Sequence, residues 1–230
     1  MSKELHKTKQ IVSVILPTYN SIETINRAVN SILIQQINYL IEIIIIDDSS
    51  TDGTYEKVKT YKSSVDFQFR VIRNNINRGV GYSRNVGLKK ARGDFIAFLD
   101  SDDYWIKDKL KVQLSFLELN DNIDFVTTNY LRENHKTKFC KFKLILTPNI
   151  ITLKKNKYIN YIPNSTCLLR SRLAKKVEYP LIRIRNDYVY WNLLLSMSND
   201  IKAINCHLTN AYTVYGVNPG ISYNKFKLIK

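Results

Sequence analysis

Asp100-Ser101-Asp102 stands directly after a buried-looking apolar run, Phe95–Leu99. Alternate side chains of an extended segment point to the same side. Both carboxylates can therefore reach one hard divalent cation, Mn2+ or Mg2+, directly or through water. Such a cation keeps open positions for substrate phosphates. The alternative is that Asp102 or Asp103 caps a following helix. A second acidic cluster, Asp47-Asp48-Ser49-Ser50-Thr51-Asp52, follows Ile41–Ile46. Asp48 can accept a hydrogen bond from a ring N–H, as a pyrimidine offers, or close an Asx turn. Tyr19, in Pro17-Thr18-Tyr19-Asn20 after Ile11–Leu16, can lie against a base face or serve as a half-buried aromatic. Two like charges ~4 Å apart at an effective dielectric of ~20 repel by about 4 kcal/mol, so a cation or a set of donors must compensate. Arg84 follows Asn77-Arg78-Gly79-Val80-Gly81. The glycines allow a close backbone approach and the helix start favours anions. Arg84 can equally be a structural partner for one of the strand-end aspartates. The glycine spacing is neither a dinucleotide fingerprint nor a P-loop.

The elements that must position these residues alternate. Ile11–Leu16, Ile41–Ile46, Phe69–Arg73, Phe95–Leu99 and Phe125–Tyr130 read as strands. Ile22, Ile25, Val29, Ile32 and Leu33 recur at helical spacing, with Ser21 placed as a cap. Further helices are expected over Thr54–Lys62, over Gly81–Ala91 and after Asp108. Strands separated by helices imply right-handed βαβ units and a mostly parallel sheet. Ligands of such a sheet bind beyond the carboxyl ends of its strands, where each motif above falls. The second half is less regular. It offers a strand at Thr166–Leu169, a short helix capped by Ser171, a helix over Asp187–Met197 and an extended stretch over Ala203–Tyr215.

The chain has 230 residues, 35 Lys+Arg, 20 Asp+Glu and a formal charge of +15. Residues 131–185 hold 14 of the basic residues against two acids, Glu133 and Glu178. That stretch is either a solvated face or a patch that meets phosphate groups. It lacks aromatics arranged for base stacking and any nucleic-acid motif, so no nucleic-acid partner is expected. Three scattered cysteines argue against a disulfide framework and for a reducing compartment. The absence of an apolar leader or an ~18-residue apolar span gives the expectation of a soluble cytoplasmic protein.

Together these residues resemble the family 2 glycosyltransferases, inverting nucleotide-sugar enzymes. The matching stretches are VSVILPTYN (12–20), IIIIDDSSTDGT (43–54), NRGVGYSRNVGLKKARGDFIAFLDSDDYW (77–105), IPNSTCLLRS (162–171) and NDYVYWNLLL (186–195). The resemblance implies an α/β fold of the GT-A type: a Rossmann-like, mostly parallel sheet with helices on both faces and a smaller acceptor-side part. One domain over 1–230 is expected, with a nucleotide-sugar-binding half near 11–130 and an acceptor-side half near 131–230.

The resemblance also assigns roles. Pro17, Tyr19 and Asp48 would hold a uracil-type base and ribose. Asp102 would be the direct ligand of the divalent cation, Asp100 would lie nearer the ribose, and Arg84 would lie beside the nucleotide. Asp187 matches the acidic catalytic position and would take the proton of the attacking hydroxyl; its structural alternative is a helix cap. Family members often carry Glu-Asp or Asp-Asp there, whereas Asn186 precedes Asp187 here. Many members carry a histidine near the C-terminus, where Tyr215 stands in this chain; His207 falls too early. The implied reaction moves a sugar from a nucleotide-sugar donor, a UDP-sugar, to a glycan or lipid-linked acceptor in surface polysaccharide or lipooligosaccharide synthesis. Peripheral membrane contact through residues 131–185, at the inner membrane face, would fit. The competing expectations are a nucleotidyltransferase, for which Pro-Thr-Tyr-Asn replaces the usual early glycine-rich loop, and a basic membrane- or nucleic-acid-binding module, which leaves the strand-end aspartates without a purpose.

Overall fold

The computed structural model describes residues 9–133, 142–206 and 213–215. In chain order its elements are β1 (Ile11–Thr18), α1 (Ile25–Leu33), β2 (Leu40–Asp47), α2 (Thr54–Val58), β3 (Phe67–Arg73), α3 (Val80–Lys90), β4 (Phe95–Phe98), β5 (Tyr104–Trp105) and α4 (Lys109–Glu118). There follow β6 (Phe125–Thr127), β7 (Tyr130–Glu133), β8 (Phe142–Ile145), β9 (Ile150–Ile151), α5 (Leu153–Asn156) and a 3-10 turn (Asn164–Thr166). The last are β10 (Leu168–Arg170), α6 (Ser171–Ala174), α7 (Asn186–Ser196), β11 (Ala203–Asn205) and β12 (Thr213–Tyr215).

An eight-stranded sheet runs β3-β2-β1-β4-β10-β6-β11-β9. Its first four strands are parallel, with β1 between β2 and β4. The carboxyl ends of β1, β2 and β4 therefore lie side by side, and the acidic clusters with them. β10 enters antiparallel between β4 and β6. A second sheet runs β5-β12-β7-β8.

The β-branched runs of β1 and β2 form strands buried on both faces, as central parallel strands require. On one face Val12, Val14 and Leu16 pack with Ile25, Val29 and Ile32 of α1 and Leu110 and Leu114 of α4. On the other, Ile15, Ile46 and Phe98 pack with Leu88 of α3 and Tyr190, Trp191 and Leu194 of α7. Gly87 lets α3 approach β1: a Cβ there would stand 2.5 Å from Ile15 Cγ2.

Several local expectations are corrected. α1 starts at Ile25 rather than at a Ser21 cap; the Ser21 carbonyl accepts from the N–H groups of Thr24 and Ile25, and its hydroxyl donates to the Tyr19 carbonyl. The expected helix to Lys62 ends at Val58. The expected strand Phe125–Tyr130 divides: Phe125–Thr127 joins the main sheet and Tyr130 opens a strand of the second. Ser171 is the first residue of its helix, and its hydroxyl donates to the Gly93 carbonyl instead of capping.

Candidate functional site

The loops after β1 and β2 fasten each other. The Asn20 N–H donates to Ser50 Oγ at 3.0 Å, and the Thr51 N–H donates to Asn20 Oδ1 at 2.9 Å. Asn20 and Ser49 both take left-handed φ values, 47° and 66°. Pro17 is buried in β1 opposite Ile46, while the Tyr19 ring is 48% exposed on the rim.

Asp48 is buried at the carboxyl end of β2. Its Oδ1 accepts from Asn74 Nδ2 at 2.7 Å and from the Arg78 N–H at 3.0 Å; its Oδ2 accepts from the Gly79 N–H at 2.7 Å. Gly79, at φ 89°, turns its N–H into that contact in a region glycine adopts without strain. Asp48 thus holds the loop that opens α3, and Oδ2 keeps a lone-pair direction beyond these three bonds. Asp47, fully buried, accepts from the Ser50 N–H at 3.1 Å and faces Arg73 at 3.5 Å.

At the end of β4, Asp100 and Asp102 meet two arginines. Arg84, buried in α3, donates from Nη2 to Asp100 Oδ1 at 2.6 Å and from Nη1 to Asn186 Oδ1 at 2.5 Å. Arg84 is thus a structural partner of a strand-end aspartate. Burial opposes its charge, but Asp100, Tyr179 and Asp187 together outweigh this and raise the guanidinium above its ordinary value. Burial, and then the charge of Asp100, pushes the Asp102 carboxyl up to about 6, with Arg27 and Arg84 acting against the rise. Arg27 Nη2 donates to the Asp102 carbonyl at 2.9 Å.

Asp103 does not cap a helix. Its Oδ2 accepts from Ser165 Oγ at 2.6 Å, and that same Oγ accepts the Asp100 N–H at 3.0 Å. The Ser165 carbonyl takes Trp105 Nε1–H at 2.8 Å, and Asn164 Nδ2 donates to Asp100 Oδ1 at 3.2 Å. The 3-10 turn thereby clamps the Asp-Ser-Asp-Asp segment on its inner side. Asn164 and Ser165 lie within the stretch IPNSTCLLRS, where nothing local in the sequence gives them a role. Their partners lie some sixty residues upstream, and no periodicity announces such a contact.

Asp187 sits in the first turn of α7, where the helix dipole favours a carboxylate. Its Oδ2 faces Asn160 Nδ2 at 3.5 Å. The residue before it, Asn186, holds Arg84. One arginine therefore ties the Asp100 strand end to the helix start that carries Asp187. β12 pairs with β5, Val214 opposite Tyr104, so the Tyr215 backbone runs beside the Asp103 end of that segment. The Tyr215 side chain and His207 lie outside the described residues.

The donor set fits a hard divalent cation of the kind the fold implies. Among the described residues no group of three or more His, Cys, Asp or Glu could hold a metal by itself. Asp102 and Asp100 instead offer the one or two carboxylates that Mg2+ or Mn2+ uses when substrate phosphates and water complete its shell. Burial and the Asp100 charge both disfavour the ionised Asp102, a penalty that a bound cation would offset.

Glycosyl transferase family 2 matches residues 13–177 of the chain. The chain belongs to that family. Two Escherichia coli proteins are similar over nearly the whole chain, each a UDP-Glc:alpha-D-GlcNAc-diphosphoundecaprenol beta-1,3-glucosyltransferase. WfgD is 36% identical over 222 residues, covering 96% of this chain and 83% of that protein. WfaP is 39% identical over 219 residues, covering 95% and 82%. Among solved structures, S. aureus TarS 1-349 in complex with UDP superposes with a TM-score of 0.70 at 27% identity, covering 95% of this chain and 64% of that one. The family 2 chain accordingly has the GT-A fold and is a glycosyltransferase. Nothing in these likenesses supports a nucleotidyltransferase or a nucleic-acid-binding module.

Proposed function

We propose that this glycosyltransferase moves a sugar from a UDP-sugar to a hydroxyl of a lipid-linked or polymer-borne glycan in surface polysaccharide synthesis, with inversion at the anomeric carbon. The observation that carries the proposal is the Arg84 bridge, which sets Asp100 and the Asp187 helix start against one buried guanidinium. Donor and acceptor chemistry then share one end of the sheet. The names of WfgD and WfaP, and the UDP complex of TarS, point to UDP and to a lipid-linked diphosphate acceptor.

Pro17, Tyr19 and Asp48 would receive the base and ribose: Tyr19 by its exposed ring, Asp48 by the lone pair left on Oδ2. Asp102, supported by Asp100, would hold Mn2+ or Mg2+. That cation supplies charge stabilisation to the departing diphosphate. Arg84 holds the Asp100 carboxylate in place. Asp187 accepts the proton of the acceptor hydroxyl as its oxygen attacks the anomeric carbon. The new C–O bond forms opposite the breaking bond to the diphosphate, so one displacement inverts the centre. UDP leaves, and Asp187 then carries the proton. The two halves, near 11–130 and 131–230, would work as one domain. No helix among the described residues is long and apolar enough to cross a membrane. Contact through the basic 131–185 region, at the inner face of the membrane, would bring the enzyme to a lipid-linked acceptor.

A panel of UDP-, GDP- and dTDP-sugars with Mn2+, read by released nucleotide, tests the donor. The expected result is turnover of a UDP-sugar, increased by a diphosphate-lipid acceptor. Preference for a GDP- or dTDP-sugar would overturn the UDP assignment.

A further inference from the structure

Two short segments border Asp187, and both expose apolar side chains between basic ones. The first is Lys157-Tyr158-Ile159-Asn160, every residue exposed. It is fixed to α7: Tyr188 Oη donates to the Lys157 carbonyl, Asn160 Nδ2 faces Asp187 Oδ2, and Asn156 just before it donates to Asn192 Oδ1 at 3.0 Å. The second is Leu181-Ile182-Arg183-Ile184-Arg185, which runs into the start of α7, again exposed throughout. Tyr158 is 81%, Leu181 66% and Ile159 55% exposed. Such residues cost free energy in water when they crowd one place. From Lys154 to Asn186 the only acid is Glu178, and it is engaged by Lys89 at 2.8 Å. Among the described residues no carboxylate pairs with Lys154, Lys157, Arg183 or Arg185.

We propose that segments 157–160 and 181–185 form one docking face for an anionic lipid membrane, and that docking delivers a lipid-borne acceptor to Asp187. The location relative to catalysis rests on the glycosyl-transfer reading of that site. The mixture of side chains selects the occupant. Basic side chains are drawn to anionic headgroups, and tyrosine and isoleucine gain by entering the headgroup–acyl boundary. A soluble polyanion would use the cations but leave the apolar side chains in water. A second copy of the chain would set this basic face against its equal. Because both segments are fastened to the start of α7, a surface they touch lies beside the Asp187 carboxylate. The face narrows the broad basic stretch to two short segments and adds an apolar component that net charge does not contain.

The test sediments the full chain with phosphatidylglycerol-containing vesicles and with pure phosphatidylcholine vesicles. UDP binding is measured by calorimetry on the same samples. The wild type is expected to partition to the anionic vesicles. Lys157→Gln with Arg183→Gln should reduce that partition about twenty-five-fold, from about five-fold for each basic residue. Ile159→Ser with Ile182→Ser should reduce it at least about ten-fold with no change of charge. Lys59→Gln with Lys62→Gln removes the same charge elsewhere and should leave partition within about two-fold by the same charge argument. Equal losses in the two lysine- and arginine-neutralised proteins, with none in the serine variant, would overturn the face in favour of net charge alone. A wild type that ignores anionic vesicles yet binds UDP would overturn the face and leave the donor reading standing. Vesicle binding without UDP binding would keep the face and sink the donor reading.

Discussion

Arg84 Nη2 and Asp100 Oδ1 meet at 2.6 Å, with the guanidinium side chain 4% and the carboxylate side chain 26% exposed. The pair is lopsided. Arg84 brings a buried charge that needs a partner; Asp100 keeps part of its carboxylate open to solvent. The second Nη of Arg84 goes to the amide of Asn186. Asn186 is uncharged, so among the described residues Asp100 is the one carboxylate hydrogen-bonded to the guanidinium.

Removing the arginine exposes that dependence. Arg84→Met leaves Asp100 beside Asp102 without its cation and frees the start of α7. Breaking a buried pair from one side costs about 3 kcal/mol or more. Urea unfolding should show a loss of that size, and Arg84→Lys should recover only part of it, since one ammonium does not span Asp100 and Asn186 as a guanidinium fork does. A melting curve for Arg84→Met that matches the wild type would show the bridge to be idle.

Asp102 should govern the metal. In the wild type, UDP affinity measured by calorimetry is expected to rise with Mn2+ and to fall on chelation. Asp102→Asn should bind UDP weakly and equally with or without the ion, because the amide lacks the charge a hard cation seeks. An Asp102→Asn protein whose UDP affinity still responds to Mn2+ would move the metal role to another residue.

Asp187→Asn separates chemistry from binding. Loss of a positioned base typically costs ~10²–10⁴-fold in rate. Transfer should drop by that factor while UDP binding and melting temperature stay near wild type, since the amide still fits the first turn of α7. Near-normal transfer by this variant would remove Asp187 as the base.

The parallel half of the fold was legible because its strands are buried on both faces: IVSVIL, IEIIII and FIAFL are continuous apolar runs, and each ends where chemistry begins. The second half hid its plan. β10 is only Leu168–Arg170, and it enters the sheet antiparallel, an order that no local pattern encodes. The Ser165 clamp was equally silent, since a hydroxyl that serves Asp100 and Asp103 looks like any loop serine. Asp48 shows the limit differently. Its type and place were plain, but its three donors come from the 74–79 loop, whose course depends on the left-handed turn at Gly79.

Lys109 gives a prediction that sequence patterning would not have made. It is fully buried at the start of α4, donates to Gln113 Oε1 at 2.7 Å and lies 4.2 Å from the Trp105 ring centroid. Burial pulls its ammonium down to about 7, against weak opposing effects from Cys167 and Cys206. The folded value thus lies below the unfolded one. Between about pH 7 and the ordinary lysine range, the unfolded chain holds a proton that the folded chain releases, so this residue's contribution to stability rises with pH across that window. Lys109→Met has no such slope. Its stability relative to wild type should be greatest near pH ~6.5 and should shrink by about 2 kcal/mol by pH ~9, a figure discounted from the full shift for relaxation around the amine. Urea unfolding of both proteins at the two pH values measures the difference, and other titrating groups cancel in the comparison. A gap that stays constant with pH would mean that Lys109 remains charged in the folded core.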